Sequence, residues 1–509
     1  MDSRSQTRTW WQDVISLDLR SLALFRMGLG AVILWDLAIR ATALTAHYTD
    51  QGMFSLDQFV HETPGRWVFS LHAMSGTAEF QAVLFVIAAL FAFCLMIGCW
   101  PRVAIVVSWV LLVSLHNRNP LVLNAADPML RVVMFWAMFL PLGARWSVDT
   151  VFSAKRVCTS SVFSVRTMAI ILQICFVYWF TVLLKTGSDW WDGSALYYVF
   201  QRELLLTAWG RACADWSNWH APMTYAVIIW EVIGTLFLIL GGGWRMISIL
   251  GFLAFHGGIA ILMNVGLFPA VAIVAWLVLL PTVFWERLAI WFPRCRQSMQ
   301  SLGLKVSQIV RVSNKVKWEL KESSITGSVA VGICLLVVFV YNIQGLYEDS
   351  NDRYQSQHVE NFVKVLRLDQ RWSMFSPNPS RNDGWFVCWA KLSNSDTVDL
   401  FSREKFTWQK PENVREHIPN RRWGKIMFKM LDPSRMEMRR RYLALVVDEW
   451  NTTHGREEQV RSYAFRFVLE VSEKDRIASR QLIDLWTAGV DQPSDLPMKT
   501  DPFLLMSGN

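Results

Sequence analysis

Apolar runs of near twenty residues recur through the first two-thirds of the chain and are missing from the last third, and this pattern limits the fold more than any other feature. A run of that length is what an α-helix needs to cross the hydrocarbon of a bilayer. Helices are the spanning element such runs allow, because irregular backbone facing lipid leaves its polar groups unsatisfied. Spans are predicted near 21–44, 80–99, 103–116, 129–144, 166–185, 222–242, 246–264, 267–285 and 325–346. The third and fourth are short, and re-entrant or tilted segments fit them as well. Only 18% of the 509 residues are charged and the mean hydropathy is +0.25, off the balance of a soluble protein. Many of the 27 tryptophans stand beside the ends of apolar runs (Trp100, Trp146, Trp190, Trp191, Trp244, Trp285), where an amphipathic ring prefers the headgroup level. The expected architecture is mainly α: a polytopic helical membrane bundle of about nine spans over 1–346, and a smaller extracytoplasmic α+β domain over 347–509.

Orientation follows from the basic residues of short loops. The stretch 286–324 holds Arg287, Arg294, Arg296, Lys305, Arg311, Lys315, Lys317 and Lys321 against three acids, so it is expected in the cytoplasm. Counting back puts the loops around Arg102, Lys155–Arg156 and Arg245 inside, and loops 45–79, 117–128 and 186–221 outside. The N-terminus is then cytoplasmic and the C-terminal domain outside. Residues 1–20 are polar and the run that follows is too long for a signal-peptide core, so the first span is expected to stay in place. The 286–324 stretch also alternates apolar and basic residues, which suits an amphipathic helix on anionic lipid or a solvated connector. A net charge of +8 raises nucleic acid as a partner, but the basic residues cluster beside spans rather than on one stripe, so membrane lipid is the expected partner.

The tail changes character. Gly384–Leu392 and Val460–Val471 have the aromatic and β-branched content of strands, and Trp423–Leu431 and Met436–Val447 read as helices with basic faces. The eight cysteines form no C-x-x-C pair, which removes support for a metal site; Cys213 and Cys388 both fall outside and leave room for one disulfide.

Charges inside spans are costly, so each asks for a partner or a function. Asp36 and Arg40 are four apart and can pair on one face; Arg26 near the cytoplasmic end is expected to snorkel. Glu231 has no local partner and is expected to face Arg26, Arg131 or a polar cavity. Lys185 closes the fifth span on the outer side, ahead of Asp189-Trp190-Trp191-Asp192-Gly193. Partial desolvation of the ammonium there suits a general base, while spacing alone favours an interfacial anchor. His256, followed by Gly257 and Gly258, suits ligand binding or proton transfer, or a helix–helix hydrogen bond at a glycine-permitted close approach. No P-loop, Rossmann fingerprint, H-E-x-x-H or nucleophile elbow is present.

These residues, in this order, carry a resemblance. Leu24-Phe25-Arg26, Tyr48-Thr49-Asp50-x-Gly52, Arg118-Asn119-Pro120, Pro141-Leu142-Gly143 with Ser147-Val148-Asp149, Lys185 to Gly193, His256 with Gly266-x-Phe268, and Gln370-Arg371-Trp372-Ser373-Met374-Phe375-Ser376-Pro377 running to Asp383-Gly384-Trp385 succeed one another along the chain. Together they resemble the HTTM-domain family, membrane proteins related to vitamin K-dependent gamma-carboxylase. The resemblance implies a carboxylase-like lyase or a related quinone- or lipid-handling enzyme. It implies reduced vitamin K or another quinone as cofactor and a glutamate-containing protein as substrate. Lys185 matches the lysine that deprotonates the hydroquinone and His256 matches a supporting histidine, while Asn124, Trp190 and Trp191 are implied to bind the cofactor. One departure counts against full activity: Leu123-Asn124-Ala125-Ala126-Asp127 puts Ala125 where the family's Asn-His pair has its histidine, and Asp127 is the nearest polar substitute. An enzyme of this class predicts an apolar, tryptophan-lined pocket beside Lys185 and His256. A non-catalytic scaffold or transporter predicts a salt-bridged or exposed Lys185 and no pocket.

Overall fold

The computed structural model describes residues 10–63, 68–152, 155–157, 159–291, 316–318, 324–347, 357–415, 417–473 and 479–489. Six of its helices are long and apolar enough to cross a membrane. They are α1 (Leu19–Ala41), α2 (Ala78–Ile97), α5 (Val165–Leu184), α6 (Ser217–Leu240), α7 (Gly242–Leu262) and α10 (Ile325–Gln344). Between them lie α3 (Pro101–Arg118), α4 (Ala126–Ala137), α8 (Phe268–Leu277) and α9 (Thr282–Trp291). Local chemistry sets the ends. Asp18 caps α1 by accepting from Arg20 N at 2.8 Å, Ser164 and Thr167 form a capping box on α5, and Gly98 stops α2 at φ +76°.

Two predicted spans are not single helices. The run 267–285 breaks into α8 and α9 at a 90° bend, because Pro281 has no N–H to continue the ladder. The run 129–144 leaves the helix after Ala137, where Pro141 and Gly143 turn the chain. Most of the basic 286–324 stretch lies outside the described residues; Val316–Trp318 within it is a short strand parallel to Lys155–Val157, not helix.

Burial separates inner from outer helices. In its most apolar stretch α5 is 67% buried and α10 only 22%. The outward faces of α2, α6, α7 and α10 carry Val86, Leu90, Ile229, Leu240, Leu250 and Leu336, all exposed. Large apolar side chains covering the outside of a bundle mark surface made for lipid, and the chain is an integral membrane protein. Trp100, Trp146, Trp191 and Trp244 are exposed at helix ends, but Trp190 and Trp285 are buried. Trp285 instead donates to Ser21 Oγ at 2.7 Å, which in turn donates to Leu280 O.

Helix α1 is the axis of the bundle. A Cβ on Gly30 would stand 2.6 Å from Met96 Cβ and 2.7 Å from Ala92 O, so only glycine permits this approach to α2. Gly30→Ala is expected to force the two helices apart and cost about 1–3 kcal/mol, read as a lower unfolding temperature in detergent. Arg26 does not snorkel. It is fully buried and donates to Leu95 O, Met96 O and Trp146 O at 2.6–3.0 Å, taking up carbonyls at the end of α2.

The tail is an antiparallel five-stranded sheet in the order β3-β2-β1-β4-β5. Its strands are β1 (Asn382–Leu392), β2 (Thr397–Asp399), β3 (Glu404–Lys405), β4 (Val460–Val471) and β5 (Ser479–Ala488). Helices α11 (Arg421–Lys429) and α12 (Met436–Thr453) cover one face, with Phe428 against Phe386 and Tyr442 against Phe465. Leu204 from the α5–α6 connection packs with Trp385, Val387 and Val468 on the other face. Both faces being covered, β1 is buried along nearly its whole length rather than alternating. Cys213 and Cys388, for which the sequence left room for a disulfide, are both free thiols, Cys388 inside the central strand.

Candidate functional site

Lys185 caps the C-terminal end of α5, where its side chain turns inward instead of anchoring at the surface. Its ammonium lies 2.6 Å from Glu231 Oε2 of α6 and 4.3 Å from the centre of the Trp190 ring. Glu231 therefore faces Lys185 and not Arg26 or Arg131; Arg131 donates to Arg367 O and to Asp369. Trp190 is held in turn, its indole N–H donating to Phe375 O at 3.0 Å.

His256 sits one helix further on. Its Nε2 is 2.7 Å from the Tyr178 hydroxyl, which accepts from Trp276 Nε1 at 2.6 Å. The phenol has one proton to give, and where it gives it to His256 Nε2 the imidazole hydrogen stands on Nδ1. That Nδ1 is buried with no hydrogen-bond partner among the described residues. A Cβ on Gly257 or Gly258 would meet nothing within 4 Å, so the glycines do not serve a close helix approach.

Both pairs open onto one cavity of about 500 Å³, within the range of small-molecule sites. Tyr178, Lys185, Glu231 and His256 line it from three helices, and Asn124 and Ala125 close it from the turn before α4. The segment 371–380 forms a further wall. It is tied down by Gly187 N donating to Pro377 O at 3.1 Å and Asp189 N to Asn378 Oδ1 at 3.1 Å. Ala125 lines the cavity, so the histidine that the resemblance implies there is replaced by a methyl group pointing into the same space. Asp127 is no substitute, because it faces away into the charge cluster described below. Asn124 Oδ1 accepts from Ala126 N at 2.9 Å and caps the turn. Trp190 lines the cavity; Trp191 is 62% exposed and stands outside it, so one tryptophan reaches the site rather than several.

Sequence reasoning missed the contribution of the tail. Helix α11 turns its basic face into the bundle rather than towards lipid. Arg422 donates to Asp36 Oδ1 at 2.5 Å and to Asp127 Oδ1 at 2.9 Å, beside Arg40, which donates to Asp36 Oδ2 at 2.8 Å and to Asp127 Oδ1 at 2.5 Å. Asp36, His116 and Asp127 are close enough to hold a metal ion, but two guanidinium groups already take the carboxylate oxygens and balance their charge. Arg421 and Lys425 of the same helix line the cavity, as does Arg202. Burial, with the guanidiniums of Arg421 and Arg202 nearby, pushes the Lys425 ammonium down to about 8. The spacing Arg421-x3-Lys425 was the one available signal, since it sets both on one helical face.

Among known proteins, no curated protein and no solved structure matches the chain. The HTTM domain matches residues 15–285, more than half of the 509, from before α1 into α9. The chain therefore belongs to the HTTM domain family.

Proposed function

We propose that this protein is a membrane enzyme that removes a proton from a small, largely apolar and weakly acidic substrate of the quinol or lipid class. The carrying observation is the single cavity onto which the Lys185–Glu231 pair and the His256–Tyr178 pair both open. The buried ion pair holds one proton between amine and carboxylate less than the two groups can accept together, so it can take up another without leaving a net negative charge behind. His256 Nδ1–H supplies an unspent donor for an oxygen of the ligand, and Trp190 keeps the ammonium in place from its other side.

The residues present suit a quinol: the volume admits a fused-ring head, most of the lining surface is apolar, and His256 and the Lys185–Glu231 pair face it together. When bound, a quinol such as reduced vitamin K supplies an acidic phenolic hydroxyl and reducing electrons. Lys185 and Glu231 would receive the proton, His256 would orient the ring, and the wall at 371–380 would keep water away. Ala125 in place of histidine weakens the further step to glutamate carboxylation, which we keep as one outcome rather than the assigned reaction.

In the bilayer we infer nine crossings, with α3, α4 and the bent α8–α9 pair counted beside the six long helices, the N-terminus cytoplasmic and the tail outside. The distribution of basic loops supports this arrangement. A second reading, a non-catalytic scaffold, draws on the full pairing of Lys185 with Glu231. Binding separates the two. A reduced naphthoquinone titrated into detergent-solubilised protein is expected to bind at micromolar levels and to lose affinity when Val227→Trp fills the cavity; no saturable binding, or binding indifferent to Val227→Trp, would favour the scaffold.

A further inference from the structure

At its tail-facing end the cavity is bounded by three cations: Arg421 and Lys425 of α11, and Arg202 from the α5–α6 connection. Among the described residues none of the three side chains makes a hydrogen bond or an ion pair, and Arg202 Nε is completely buried without a partner. Their neighbour Arg422 shows how this chain treats a buried cation it means to neutralise, setting it between two carboxylates. The acid whose charge acts on both Arg202 and Arg421 is Asp383, which accepts from Glu203 N at 2.7 Å. Burial pushes this carboxyl up to about 6, which leaves it mostly ionised at pH 7, one carboxylate against three cations. Crowding three cations into a partly dry site with a single carboxylate is costly. Burial and mutual repulsion show in the depressed Arg421, at about 10, and Lys425, at about 8.

We propose that Arg202, Arg421 and Lys425 form a subsite for an oxyanion head group, carboxylate or phosphate, of a substrate whose apolar part lies toward Lys185 and His256. The subsite extends the reading of this cavity as a ligand site and adds to it what the ligand carries at its far end. Two guanidiniums and an ammonium converging from two segments match the several oxygens of such a group better than they match a neutral ligand. Arg421, Arg202 and Lys429 disfavour the charged form of Lys425 and Asp127 favours it, so the anion preference falls as pH rises from 7 to 9 and the ammonium is lost.

The experiment uses the full chain in detergent and three soluble probes, 2-naphthoate, 2-naphthyl phosphate and neutral 2-naphthamide, titrated by calorimetry. Both anions, or one of them, are expected to bind about tenfold or more tightly than the amide. The preference should vanish in Arg421→Gln/Lys425→Gln and shrink in Arg202→Gln. Preference for the phosphate assigns a phosphoryl head and preference for the naphthoate a carboxylate. An amide that binds as tightly as both anions, or a preference intact in the double variant, overturns the subsite alone and leaves the cavity reading standing. No binding of any probe overturns both. Anion preference without Lys185-dependent turnover keeps the subsite and removes the proton-abstraction reading.

Discussion

Arg422→Met is expected to loosen the C-terminal domain from the bundle and to cost about 3–5 kcal/mol, the largest effect of any single substitution outside the cavity. The side chain crosses from α11 to reach Asp36 of α1 and Asp127 of α4, and it also donates to Val122 O at 3.0 Å. Removing it leaves two buried carboxylates to share Arg40. Limited proteolysis of the tail and thermal unfolding in detergent measure the loss. Adding Asp127→Asn to Arg422→Met restores the charge balance and should recover part of the stability. If the double variant is as unstable as the sum of the singles, the cluster acts through packing and not through charge. Arg441→Met serves as the control, since that side chain is 28% exposed and donates from the surface to Asp50 O, Gly52 O and Glu437 Oε1.

Lys185→Met is expected to do two separable things. It strands the Glu231 carboxylate in the interior, costing about 3–5 kcal/mol, and it breaks up the proton-accepting pair, costing a factor of about 10² or more in any turnover. The variant Lys185→Met/Glu231→Gln separates them: it carries no buried charge, so stability should return towards that of the parent while turnover stays absent. Recovery of both would make the pair structural. Recovery of neither would mean that the loss of packing against Trp190 outweighs the charge.

The sequence shows the bundle well because helix spacing and lipid-length apolar runs are local properties. The strand Val460–Val471 and the Asp36–Arg40 pair, four residues apart on α1, were readable for the same reason. What was hidden depends on contacts far apart in the chain. Glu231 and Lys185 are on different helices and nothing in either span names the other. The inward turn of Arg422 depends on where α11 settles once the sheet forms. The break at Pro281 was visible as a proline but not as a right-angle bend, since that depends on how α8 packs against α1, where a Cβ on Gly28 would stand 2.8 Å from Val274. Of the residues the resemblance pointed to, Lys185, His256, Asn124 and Trp190 line one cavity, and Trp191 lies exposed outside it.

The claim that Lys185 and Glu231 take a proton from a bound quinol is tested most directly by oxygen uptake. Purified protein would be supplied with reduced vitamin K and a glutamate-rich peptide, and incorporation of labelled carbon dioxide would be followed in the same vessel. The account predicts quinol-dependent oxygen uptake in the parent, reduced at least about 100-fold in Lys185→Met/Glu231→Gln, with or without carboxylation of the peptide. Uptake that is equal in parent and variant, or no uptake by folded protein shown to bind the quinol, would contradict it.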